Sequence, residues 1–284
     1  MPFYGDAALL REAVTSVLAQ DDPNWRLTVV DDRSPADVRS WFATLGDARV
    51  RYLRNPENLG LTGNFNRCVD LVEHDLAVLL GCDDRLLPNY VGTVRAAHAA
   101  DPDAGIIQPG VLVIDGAGRP VRTLVDEAKR RVYAPRGPVA LAGEDLAVSL
   151  LRGDWLYFPS LAWRADVLTS VRFRRDLRVI QDLALLMELV LRGVRLVTDD
   201  TVCFEYRRHA ASESSATAFD GSRFTEAAAF FADTANRLAG HGWPRAARVA
   251  RRHLSSRIFA LTMLPRALRH PRGLAALTRH VLGP

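Results

Sequence analysis

The sequence predicts an α/β protein: a largely parallel sheet with helices on both faces. Short apolar runs alternate with segments of helical period through the first hundred residues, the pattern of a strand–helix–strand chain. Two of those runs end in adjacent aspartates, Asp31-Asp32 and Asp83-Asp84. Carboxylates at strand ends sit where open α/β sheets bind their ligands.

The first helix carries Leu10, Val14, Val17 and Leu18 on one face and stops before Pro23. Arg26-Leu-Thr-Val-Val30 is a strand leading into Asp31 and Asp32, followed by a helix over 36–45 and a strand over 50–53. Residues 58–66 read as a polar, glycine-containing loop before a helix over 67–73. Leu76 to Leu80 is a buried strand, the chain turns at Gly81, and Pro88 opens a helix. Two hard oxygen donors at Asp83 and Asp84 suit Mg²⁺ or Mn²⁺ holding a diphosphate; a turn followed by a helix cap uses the same residues. Because the helix near Ala8 should follow a strand and none precedes Pro2, the first strand is expected to be truncated, either absent or upstream of Met1.

Beyond Asp101 the texture changes. Residues 105–115 read as one or two strands broken at Pro109-Gly110, with a hairpin-type turn over 115–118. Residues 119–140 read as a basic surface loop and Glu144 to Leu151 as a short helix. Trp155, Tyr157 and Trp163 are candidates to line a sugar-binding surface, with core packing as the alternative. Ile180 to Gly193 is a strong helix with Asp182 in its first turn, placed either for the helix dipole or as a general base. Strand-like runs over 195–205 lead to Tyr206-Arg-Arg-His209, a serine-rich loop over 210–222, and two helices. The second of these puts Leu254, Ile258 and Leu261 in line.

At 284 residues, 48% hydrophobic and 25% charged, the composition is that of a globular protein. No apolar run is long enough to cross a bilayer and no leader precedes the first helix, so a cytoplasmic protein is expected. Cys68, Cys82 and Cys203 lack zinc or disulfide spacing and read as reduced thiols. The net charge of +4 divides unevenly: no acidic residue follows Asp233, whereas ten arginines run from Arg237 to Arg279, leaving a −6 body and a +10 tail. Such a tail suits an anionic surface, including the inner face of a membrane, or simply a solvated helix face. No aromatic–basic pattern points to nucleic acid.

The ordered set Pro2-Phe-Tyr-Gly5, Ser16-Val-Leu-Ala-Gln20, Val29-Val-Asp-Asp32, Asn58-Leu-Gly60 with Asn66, Asp83-Asp84 with Pro88, and Gln181-Asp182 resembles the family 2 inverting glycosyltransferases of the GT-A fold, over residues 2 to about 210. Within that family the chain looks most like bacterial enzymes that build cell-surface or secreted glycans or decorate small metabolites. The resemblance implies a GT-A domain over 1–215 with a mixed sheet and helices on both faces, divided into a nucleotide-sugar half over 1–100 and an acceptor half over 101–215 and followed by a basic helical extension over 216–284. It implies a UDP-type donor, a hexosyl or deoxyhexosyl group, an acceptor alcohol and Mg²⁺ or Mn²⁺. By the same resemblance Tyr4, Asp32 and Asn58 contact the nucleotide, Asp83 the ribose, and Asp84 with Asp83 the metal. His209 is a further metal or diphosphate contact and Asp182 the catalytic base.

Three positions depart from the family pattern. Gly81 stands where many members carry a first aspartate, Gly5 where asparagine is usual, and Gln181 where glutamate usually precedes the base. These departures keep a non-catalytic nucleotide- or carbohydrate-binding homologue open. A nucleotidyltransferase is the other competitor, although Tyr4-Gly5-Asp6 offers no glycine-rich phosphate loop with a basic residue. No GxGxxG follows a strand, which disfavours a nicotinamide enzyme.

Overall fold

The computed structural model describes residues 1–208, 222–267 and 271–282. Three parallel strands form one sheet in the order β1 (Pro2–Phe3), β2 (Leu27–Asp31), β3 (Val50–Arg54). A second, mixed sheet is built around β6 (Ala104–Ile114) and β9 (Arg195–Arg207), which run parallel to each other. Its antiparallel members are β4 (Leu76–Val78) and β6 on β8 (Ala162–Arg164), and β5 (Arg85–Leu86) and β7 (Ala140–Leu141) on β9. The sheet is therefore mixed beyond β3, as the GT-A resemblance implies, where the strand–helix alternation alone suggested a largely parallel one.

Asp6 caps α1 (Ala7–Leu18) by accepting the N–H of Ala8, and the helix buries Leu10, Ala13, Val14 and Val17. Its far end holds the chain that follows the Asp83-Asp84 turn. Ser16 accepts the N–H of Leu86, while Gln20 donates to Leu87 O at 2.7 Å and accepts from Val91 N at 2.9 Å. That braces the entry to α4 (Tyr90–Ala100). The strand expected to be missing before α1 is present but only two residues long, with Pro2 opposite Val30 and Phe3 opposite Asp31.

Further boundaries differ from the sequence reading. The helix placed over 67–73 is α3 (Gly60–Asp70), so Asn64 and Asn66 are helical rather than loop residues. Gly60 takes φ +71 and lets the chain enter that helix directly. Residues 105–115 form one continuous strand that shifts register near Gly110, where a Cβ would lie 2.8 Å from the Asp200 carbonyl oxygen. The segment read as surface loop over 119–140 contains α5 (Leu124–Ala128), a single π-helical turn (Lys129–Tyr133) and the buried Asp126. Between α2 (Arg39–Thr44) and α6 (Gly143–Arg152) the alternation otherwise follows expectation.

Behind the mixed sheet, α6, α7 (Ala165–Thr169) and α8 (Gln181–Leu191) share one apolar core with α9 (Ser222–Gly240) and α10 (Pro244–Arg252). Phe230, Phe231 and Leu238 belong to that core alongside Leu146, Leu186 and Trp163. The helix expected to run on from Pro244 instead breaks at His253, which is left-handed at φ 30. Beyond it lie α11 (Leu254–Ala267) and α12 (Pro271–Leu282). Leu254, Ile258 and Leu261 do share one face of α11, and that face is exposed, at 59, 56 and 48%. Among the described residues no helix is long and apolar enough to cross a membrane.

Candidate active site

The ends of β1, β2 and β4 converge on one edge. Asp31 turns inward, taking Ser34 N–H and the Tyr52 hydroxyl. Asp32 is buried and held by Asn55 Nδ2 and Leu59 N–H, both at 2.8 Å to Oδ1. Asn55 also donates to Asn64 Oδ1 at 3.1 Å, and Asn64 donates to Val30 O at 3.0 Å. Asn55 and Asn64 thus fix the carboxylate that the sequence singled out; they were not picked out because asparagine in a loop reads as a turn residue. Asn58 turns its Oδ1 onto Gly60 N–H at 2.9 Å, an Asx turn that starts α3. The Tyr4 ring is exposed, and its backbone N–H reaches the Cys82 thiol, joining the end of β1 to the carboxylate turn.

Asp83 and Asp84 fold back over Gly81. A Cβ on Gly81 would lie 2.5 Å from Asp84 Oδ2 and 3.0 Å from Asp83 Oδ1, so the absence of a side chain there is what lets both carboxylates approach the same point. Burial first, and the Asp83 charge second, push the Asp84 carboxyl well above the usual carboxylate range. Two crowded acidic oxygens with a cradle beneath them fit a hard divalent ion held by one or two carboxylates and substrate phosphates. Among the described residues no third His, Cys, Asp or Glu joins them as a ligand cluster; His209 lies outside the described residues.

Arg207, buried at the end of β9, organises this turn. Its N–H donates to Asp84 Oδ1 at 2.8 Å and its Nε to Asp83 O at 2.7 Å. The remaining guanidinium donors reach Gly116 O and Glu12. The sequence offered no signal for it among 36 other cationic residues.

Asp182 lies in a cavity of about 260 Å³ lined also by Phe65, Lys129, Asp154, Tyr157 and Tyr206. Burial raises its carboxyl pKa, opposed by the Leu183 N–H that it accepts. Gln181 is fixed by the Thr62 hydroxyl at 2.9 Å. The start of α8 is capped from outside: Glu226 of α9 accepts the N–H groups of Arg178, Val179 and Ile180, each at 2.9 Å. Tyr206 connects the two stations. Its hydroxyl is pushed up to about 12 by burial and by the charges of Asp84, Asp83 and Asp182 together, against the opposing pull of Arg208.

Of the aromatic candidates, only Tyr157 lines this cavity. Its hydroxyl is committed to Asp126 at 3.0 Å, which Arg208 also grips through two hydrogen bonds, so the ring face is what it presents. Trp155 is buried, donating to Ser149 at 3.1 Å, and Trp163 is fully buried on β8. Both are core residues, because each rotates into the layer between sheet and helices. A second cavity of similar volume is lined by Arg172, Arg174, Arg192 and Arg237, but these arginines pair with Asp70, Asp176 and Glu188.

Residues 1–140 match the family model described as glycosyl transferase family 2. An uncharacterized Mycobacterium tuberculosis protein is 26% identical over 230 residues, covering 75% of this chain and 66% of that protein. The Escherichia coli UDP-Glc:alpha-D-GlcNAc-diphosphoundecaprenol beta-1,3-glucosyltransferase WfgD is 29% identical over 89 residues, 31% of this chain and 35% of its own length. Thus the chain matches two thirds or less of these relatives' lengths. Among solved structures, S. aureus TarS 1-349 in complex with UDP-GlcNAc superposes with a TM-score of 0.69 at 13% identity, covering 99% of this chain and 80% of that one. The Pyrobaculum calidifontis mannosyltransferase PcManGT with GDP-Man and Mn²⁺ gives 0.58 at 18% identity, covering 99% and 84%. The fold is that of the GT-A glycosyltransferases, and it is residues 1–140 that match glycosyl transferase family 2.

Proposed function

We propose that this protein moves a sugar from a nucleoside-diphosphate donor to an acceptor hydroxyl, inverting the anomeric carbon, with a divalent metal. The observation that carries this reading is the end of β9, where Tyr206 lines the cavity of Asp182 and the next residue, Arg207, donates its N–H to Asp84. In this reading the two sides of β9's end serve as a diphosphate-and-metal station and a buried base. Under the same proposal Asp32 and Tyr4 contact the nucleotide base, Asp83 the ribose, and Asp84 with Asp83 the ion. Asn58 acts in the same edge through the loop that it shapes. Residues 1–100 form, in this reading, the nucleotide half and residues 101–215 the acceptor half, with β4 and β5 of the first half joining the sheet of the second.

In the proposed reaction Asp182 accepts the acceptor's proton as its oxygen attacks the face opposite the leaving group. Burial raises the proton affinity of that base, and the Tyr157 and Tyr206 rings limit water around it. A bound Mg²⁺ or Mn²⁺ supplies charge neutralisation for the departing diphosphate. Arg207 holds the Asp84 carboxylate through its N–H and the Asp83 backbone carbonyl through Nε. A UDP-type donor accords with the UDP-GlcNAc complex of TarS, and a lipid-linked acceptor in bacterial glycan assembly accords with WfgD.

Such an acceptor lies at a membrane surface, and the C-terminal helices suit contact with one from the cytoplasmic side. The exposed Leu254, Ile258 and Leu261 adjoin exposed Arg248, Arg251 and Arg252. The test is a thermal-shift screen of UDP-, GDP-, TDP- and CMP-sugars with Mn²⁺, followed by transfer assays of Asp182→Asn. That variant should keep Mn²⁺–nucleoside diphosphate binding while transfer falls ~10²- to 10⁴-fold. Wild-type turnover by it would remove Asp182 from the role of base. Release of pyrophosphate would instead favour a nucleotidyltransferase.

A further inference from the structure

We propose that Asp154 and Lys129 form a sugar-hydroxyl subsite beside Asp182, the carboxylate accepting from one hydroxyl and the ammonium donating to its neighbour. This rests on the glycosyltransferase reading and goes beyond it by naming two recognition residues that neither sequence motifs nor the family pattern supplied.

Asp154 lines the same cavity as Asp182. The Leu156 N–H favours its charged form from one side, whereas Oδ1 is buried with no hydrogen-bond partner. A buried carboxylate oxygen left unpaired is costly, so a purely structural acid at this place would be expected to have found a donor. A hydroxyl entering the cavity supplies one.

The cation is placed by the same peptide unit. Lys129 Nζ donates to Leu156 O at 3.1 Å, so the Leu156 backbone faces Asp154 with its N–H and the ammonium with its carbonyl. An ammonium carries three donors, and this bond uses one. Lys129 is the only lysine in the sequence, every other side-chain cation apart from histidine being arginine. An ammonium is a compact point charge with rotatable donors, unlike the fixed planar fork of a guanidinium.

Lys129 also opens the π-helical turn, a feature often found at functional sites. At its end Tyr133 packs against Gly153, where a Cβ would lie 2.6 Å from the ring. The turn bearing Lys129 is thereby locked to the backbone of Asp154. The Lys129 ammonium lies 5.1 Å from the Tyr157 ring centroid, and the Tyr157 and Tyr206 centroids are 5.1 Å apart. These rings provide apolar faces beside a polar pair, the combination that a sugar ring with vicinal hydroxyls requires.

The electrostatics agree with a neighbouring pair of acids. Burial drives the Asp154 carboxyl up to about 7, Lys129 opposes this, and Asp182 adds to it. Gln181 removes the acid that usually precedes the base, and Asp154 brings one back from a different segment. The hydroxyl can belong to the donor sugar or to an acceptor saccharide, and both offer the same chemistry.

The experiment uses the full chain with Mn²⁺ and compares wild type, Asp154→Asn and Lys129→Met. Titration calorimetry measures UDP against UDP-glucose and GDP against GDP-mannose, and a donor-consumption assay gives KM for glucose and N-acetylglucosamine as surrogate acceptors. Both variants should bind the nucleoside diphosphates as wild type does. Loss of the extra affinity conferred by the donor's sugar, about 10- to 100-fold, assigns the subsite to the donor. A rise in saccharide KM of the same size with unchanged donor affinity assigns it to the acceptor. Changes below about twofold in both arms overturn the subsite while leaving the transferase reading intact. A wild-type protein that binds no nucleotide sugar overturns the transferase reading, and the subsite with it. Asp154→Asn is nearly isosteric and removes a buried charge, so it should fold; Lys129→Met provides an independent check.

Discussion

The backbone N–H of Arg207 donates to Asp84 Oδ1 at 2.8 Å, so the last residue of β9 holds a carboxylate that lies 123 positions earlier in the chain. The two proposed stations are therefore linked through the mixed sheet, because β9 carries Tyr206 to the cavity and Arg207 to the carboxylate turn.

Gly81 is open to a direct test. If it were simply a lost metal ligand, Gly81→Asp would strengthen the site. With a Cβ 2.5 Å from Asp84 Oδ2, both Gly81→Ala and Gly81→Asp should instead weaken Mn²⁺ binding in the presence of UDP, by about tenfold or more. Isothermal titration reads this, and tighter binding by Gly81→Asp would refute the crowding argument.

Glu226 should influence both stability and turnover without touching substrate. Glu226→Ala leaves three N–H groups at the start of α8 without their acceptor, a loss of about 1–2 kcal/mol by analogy with helix caps. Glu226→Gln, which retains an acceptor oxygen, should recover part of it. Urea unfolding gives the stability, and kcat should fall in the same order, since the cap locates the turn that carries Asp182. Equal stability of all three proteins would discount the cap.

The pH dependence of stability has a defined sign. A carboxyl whose folded pKa is raised binds its proton more tightly folded than unfolded, so its contribution is present at low pH and lost as pH rises through the folded value. For Asp154 that window runs from the ordinary value of 3.8 to about 7. Asp154→Asn should accordingly raise Tm at pH 8 relative to wild type and leave it little changed at pH 4. The opposite ordering would show that Asp154 is stabilised by a partner rather than penalised by burial.

The exposed α11 face predicts lipid binding. Wild type should co-sediment with vesicles containing phosphatidylglycerol, less so at high salt. Glu in place of Leu254, Ile258 and Leu261 together should abolish this while leaving nucleotide-sugar binding unchanged. Retained sedimentation would shift the contact to another surface.

The alternation of apolar runs and helical periods determined the α/β class, and local chemistry placed Asp32, Asp83-Asp84 and Asp182 at the ends of their elements. Those features are legible because strand period, helix period and turn residues act over a few neighbours. Tertiary structure decided the rest. Gly81 looked like a missing acid until two carboxylates closed over it. Trp155 and Trp163 stood between sugar platform and core until packing turned them inward, and Leu254, Ile258 and Leu261 gave no sign of which way they would face. Arg207, Glu226, Asp154 and Lys129 act across 25 to 124 positions of sequence. No local pattern records such partners, because burial and hydrogen-bond pairing are settled only when distant segments pack together.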